Sequence, residues 1–176
     1  MKSVTALPAI VLLLVATAHA QQPYSGLEAR PIKALSEQQI TDLKQGRGMG
    51  LALAAELNGY PGPSHILELA GALRLTDAQK QLVDSLFTAM KAEAIPLGEQ
   101  LIAAEAALDQ LFAQRRITEA SLHVSLENIG RTQAALRATH LKYHLSTLDI
   151  LSTDQMRRYA ELRGYGGHAG NQQHHR

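Results

Sequence analysis

Apolar residues recur at helical spacing over most of this chain, and the strict alternation a half-buried strand needs is not seen. The longest run opens at Thr76 and carries Leu82, Val83, Leu86, Phe87, Met90, Leu97, Leu101, Leu108, Leu111 and Phe112, predicting a helix to about Gln114. Pro96 falls near its centre with Gly98 just after. The proline removes an amide donor and crowds the Ala92 carbonyl, so a bend or break is expected there. A second long run takes Thr118 as its cap and extends to about Ile150, with Leu122, Leu126, Ile129, Leu136 and Leu151 on one stripe. Arg115, Arg116 and Ile117 make a short connection, so the two runs should fold back as an antiparallel hairpin.

Shorter helices flank this pair. One is predicted from Ser36 to Leu57, with a middle weakened by Gly46, Gly48 and Gly50; the run Asn58 to Pro63 is a firm stop. Another spans Ser64 to about Leu73. The last starts at Ser152 and ends near Gly164, either as a separate helix or as a kinked continuation of the one before it. The predicted fold class is all-α: a long bent helical hairpin with shorter flanking helices and no strands.

Three helix starts share one pattern, Leu, Ser or Thr, two residues, Gln: Leu35-Ser36-x-x-Gln39, Leu75-Thr76-x-x-Gln79 and Leu151-Ser152-x-x-Gln155. Chance at this composition supplies roughly 0.2 copies. Each is a capping box, in which the hydroxyl accepts from the N3 amide and the Gln reaches back to the cap amide. The preceding Leu takes the staple position, opposite Ile40 and Met156 in two copies. Capping accounts for Ser or Thr and for Gln, but not for Gln rather than Glu every time. If the second long helix returns along the first, Thr76 and Ser152 meet, and Gln79 and Gln155 can bridge the two helix starts.

The ends of the chain read differently. Lys2, the apolar run Val4 to Ala18 and the small-x-small site Ala18-His19-Ala20 predict a secretory signal peptide, residues 1–20, cut after Ala20, with an uncleaved anchor as the alternative. Residues 21–34 read as a polar, disordered lead-in, residues 35–165 as one helical domain, and residues 166–176 as a flexible Gly- and His-rich tail. The chain has no Cys, which excludes disulfides and thiol chemistry. Between Thr76 and Gln114 six carboxylates face two lysines; from Arg115 onward nine basic residues face five acidic ones. Complementary charge on the two long helices favours their pairing, although exposed pairs stabilise by only about 0.2–1 kcal/mol each. Few aromatics and an export leader argue against nucleic acid.

Candidate chemistry is sparse. No H-E-x-x-H, nucleophile elbow or Cys nucleophile is present, so no enzyme activity is expected. His140 and His144 lie four apart on one helix face. They either pack at a helix interface with their nitrogens bonded to carbonyls or water, or supply two imidazole ligands to Zn²⁺, Ni²⁺, Co²⁺ or Cu²⁺. Completing such a site needs other ligands, from His65 and Glu68, from the tail residues His168, His174 and His175, or, less readily, from His123.

The leader, the all-helical body and the Leu-Ser/Thr-x-x-Gln motifs bracketing the hairpin together resemble the Spy/CpxP family of periplasmic proteins. That family is similar in turn to periplasmic heavy-metal resistance and sensor proteins such as ZraP and CnrX. The resemblance covers roughly residues 35–165. It implies a thin, curved hairpin whose homodimer forms a cradle, and ATP-independent protection of unfolded or stressed envelope proteins. Heavy-metal binding through His140 and His144 is the alternative it allows, and docking to a membrane sensor kinase domain a third. The third copy of the motif, at Leu35, departs from the two usual in the family, and Met- and His-rich termini are only weakly echoed. A client-binding role would use an apolar surface rimmed by Lys91, Arg115, Arg116, Arg131, Arg137 and Lys142.

Overall fold

A computed structural model describes residues 24–165, and the predicted leader and tail lie outside them. Among the described residues there are six α-helices and no strand: α1 (Glu37–Lys44), α2 (Leu53–Glu56), α3 (Pro63–Glu68), α4 (Asp77–Ala113), α5 (Glu119–Ser146) and α6 (Thr153–Leu162). The all-α expectation holds. Helices α4 and α5 pack along one another as the central pair, with α1 and α3 laid against α4 and α2 against α5.

All three motif copies form the capping boxes their residues predict. Ser36, Thr76 and Ser152 accept the amides of Gln39, Gln79 and Gln155 at 3.1–3.2 Å, and each Gln carbonyl oxygen accepts the cap amide in return at 2.9–3.0 Å. The staple residues share core clusters as well, Leu35 in one with Ile40 packed against it and Leu151 in another with Met156. Helix α5 is capped in the same way by Thr118, with Ser121 in place of Gln.

Three expectations about elements are corrected, and one open alternative, between a separate last helix and a kinked continuation, is decided. The stretch from Ser36 to Leu57 is two helices, because Gly46 adopts φ 65°, a left-handed conformation, and ends α1: its amide bonds to the Leu43 carbonyl and that of Arg47 to the Asp42 carbonyl. The helix expected from Ser64 to Leu73 is shorter, Pro63–Glu68, and ends in turns that close with Arg74 at φ 51°. Helices α5 and α6 are separate. Thr147, fully buried, donates from Oγ1 to the Pro61 carbonyl at 2.6 Å, which ends α5 and ties it to the loop before α3. The lead-in is partly structured: Ile32 is buried in the core, and Lys33 binds Asp109 of α4 through both its amide and its ammonium.

Helix α4 runs unbroken through Pro96. Two residues on, Gly98 faces the Leu43 carbonyl so closely that a Cβ would collide with that oxygen. The glycine therefore sets how near α1 approaches the hairpin. Two core clusters result, one around Leu43, Ala94, Leu101, Ile129 and Leu136, the other around Ile66, Leu73, Val83, Leu151 and Tyr159. Beyond Leu101 and before Ile129 no residue is buried, so the hairpin projects past its core for most of residues 102–128.

Candidate functional site

Two places gather polar groups that the fold does not require for chain reversal alone. At the base of the hairpin, Gln79 donates from Nε2 to Gln155 Oε1 at 2.8 Å, and Gln155 donates back to Gln79 Oε1 at 3.0 Å. The second proton on each amide goes to a carbonyl of the other arm, Ile150 for Gln79 (2.8 Å) and Leu73 for Gln155 (3.3 Å). Every donor on both side chains is thus used while both oxygens also hold their cap amides. A carboxylate has no proton to donate and would face another carboxylate, which explains Gln in these two copies. Gln39 makes only its cap, so the copy at Leu35 is a helix start and no more.

The second place lies where α2 and the loop after it cover α5, beside α3 on α4. Glu56 is 4% exposed. It accepts the Gly62 amide (3.1 Å), the Tyr165 hydroxyl (3.1 Å) and the Tyr159 hydroxyl, with Arg163 Nε at 3.6 Å and His65 Nδ1 at 3.4 Å. Burial would push this carboxyl up, but His65, Tyr159 and the Gly62 amide outweigh it and hold the group at about 2. Tyr159 is raised correspondingly, by burial and then by Glu56. The carboxylate therefore stays charged and fully engaged.

His140 and His144 both turn inward from α5, 2% and 7% exposed. His144 Nδ1 lies 2.7 Å from the Tyr60 carbonyl oxygen, an acceptor, so Nδ1 carries the proton and donates. Its Nε2 abuts Gly62, where a Cβ would sit 2.7 Å away. His140 packs against Gly48 and its Nε2 has no hydrogen-bond partner. Burial, then the neighbouring His144, holds the His140 imidazole below its ordinary range, so the ring is neutral. A cavity of about 180 Å³ is lined by Met49, Glu56, His65, Met90, His140 and His144.

His65, His140 and His144 therefore reach one cavity, as the pairing of candidates required. Glu68 is exposed and does not join it. His123 sits far along the hairpin beside Glu127, at 3.3 Å. The tail residues His168, His174 and His175 lie outside the described residues. Among the described residues no three His, Asp or Glu side chains are arranged to hold one ion. The two rings differ: His144 is bonded at the helix interface, while His140 keeps a nitrogen without a partner. Sequence reasoning missed Glu56, Met49, Met90, Tyr159 and Tyr165. Their separations along the chain carry no motif; of the cavity wall, only the glycines around Met49 leave a mark in the sequence, as a weakened helix middle.

The basic rim is dispersed. Arg115, Arg116, Arg131 and Arg137 are exposed, Lys91 lies over the Phe87 ring, and Lys142 is paired with Glu93. An apolar groove of about 730 Å³ runs between α1 and the hairpin, lined by Leu35, Leu43, Leu51, Leu101, Ala134 and Leu136, with Arg137 at its edge. No family model, curated protein or solved structure matches the chain. What fold and site define is a class: an all-α protein built on a long hairpin, clasped at its base by paired glutamines and bare of buried residues towards its tip.

Proposed function

We propose that this chain is an ATP-independent chaperone of the cell envelope, of the Spy/CpxP type, that holds unfolded proteins against its hairpin. The observation that carries the reading is the absence of any buried residue from 102 to 128, a stretch that leaves Phe112, Val124 and Leu126 more than half exposed. Two helices alone cannot cover their own apolar stripes, so this surface is available to a client or a second copy of the chain. Arg115, Arg116 and Arg131 beside it raise the encounter rate with acidic clients. Shallow apolar contact without a deep pocket favours loose, reversible holding, which needs no nucleotide. Homodimerisation through the same arms would set the size of the holding surface, and export by the leader would place it in the periplasm.

The test is light scattering by a denatured client diluted from urea, with equimolar mature protein present. Suppression of aggregation is expected, together with loss of at least half of it in Phe112→Ser/Leu126→Ser. Equal scattering with and without the protein rejects the reading.

A further inference from the structure

The Met and His residues of this chain are not scattered. Of the four histidines within residues 24–165, three line the 180 Å³ cavity; of the three methionines there, two do. The carboxylate in the same wall is taken up by Tyr159, Tyr165 and the Gly62 amide, and His144 donates from Nδ1 to Tyr60 while its Nε2 abuts Gly62. Two buried ring nitrogens in this wall have no hydrogen-bond partner, His65 Nδ1 and His140 Nε2; the first faces the Glu56 carboxylate at 3.4 Å, which leaves the enclosed His140 Nε2 and the two thioethers. Met49 reaches the cavity from a backbone at φ 44°, a left-handed conformation that a non-glycine residue rarely holds, between Gly48 and Gly50. Met90 is 6% exposed and comes from α4; Met49 is 42% exposed. One thioether is thus deep and the other open to solvent, a path by which an ion could be handed inward.

We propose that His140, Met49 and Met90 form a site for a soft monovalent metal ion, Cu(I), independent of client binding. Thioether sulfur is a soft ligand that selects Cu(I) over Zn²⁺ or Ni²⁺, and a neutral imidazole completes a two- or three-ligand set. Harder divalent ions need the larger imidazole and carboxylate sets that these residues do not assemble. The strained Met49 backbone then has a use: it holds a flexible sulfur over the cavity.

The experiment is anaerobic titration of the full mature chain with Cu(I), kept reduced by ascorbate, in competition with a chromophoric Cu(I) chelator. One equivalent per chain is expected. Met49→Leu/Met90→Leu, which keeps volume and helix content, should weaken binding at least tenfold and remove sulfur scattering from the copper X-ray absorption spectrum. His140→Gln should weaken it similarly, with circular dichroism as the control for folding. Replacing His168, His174 and His175 by Ala should leave the equivalent in place. Retention of full affinity by Met49→Leu/Met90→Leu, loss of the ion with the tail histidines, or failure to hold copper against the chelator each overturns the proposal.

Discussion

At Gly98 a backbone comes where a side chain would stand, and the Leu43 carbonyl occupies the place of the missing Cβ. Gly98→Ala must push α1 off the hairpin or displace that carbonyl, and we expect a loss of about 2 kcal/mol, read as a lower urea midpoint with an unchanged m-value. Glu56 is the other residue on which much converges. Its carboxyl ionises near 2 in the folded protein and near 4.5 when unfolded, so the unfolded state binds more protons between those values. The stability it contributes is complete above pH 4.5 and is lost as pH falls from there towards 2. Glu56→Gln should therefore cost about 2 kcal/mol at pH 7 and progressively less on acidification through that window, measured by urea unfolding at stepped pH. Parallel pH profiles for the two proteins would contradict this account.

Between the elements, the paired glutamines make the sharpest comparison. Gln79→Glu keeps the cap and removes both donated bonds, to Gln155 and to the Ile150 carbonyl, and should cost about 2 kcal/mol. Gln39→Glu, at a copy that only caps, should change stability by less than about 0.5 kcal/mol. Equal losses in thermal melts would mean that the cross-helix bonds carry no weight. The helix starts were legible because a capping box is local: Ser36, Thr76 and Ser152 need only the residue three positions on. The Gln79–Gln155 contact was legible too, since a short connection implies a hairpin, opposite charge favours it, and a hairpin brings those two helix starts together. The ends of α1 and α3 were less so, because left-handed turns at Gly46 and Arg74 decide them, and an Arg in that conformation leaves no mark in composition. Glu56 was invisible for a different reason. Its two tyrosine partners are 103 and 109 residues away, and a long-range hydrogen bond has no sequence period.

Taken whole, the molecule concentrates its restraints at one end. The clasp, the Glu56 contacts, Thr147 and both core clusters lie on the near part of the hairpin, while the far part has neither buried side chains nor a third helix against it. Such an arm behaves as a cantilever, and its opening free energy should fall with distance from the anchored end. Amide hydrogen exchange should grade accordingly, with the amides of Met90 and Tyr143 exchanging slowly, those of Leu111 and Leu122 quickly, and client addition slowing only the latter. Uniform protection along α4 and α5 would contradict the gradient. The Ile32 and Lys33 segment then acquires a mechanical meaning. By tying Asp109 back to the N-terminal strap it fixes how much of the arm is free to breathe, and Asp109→Ala would lengthen that lever by moving its fulcrum towards Leu101.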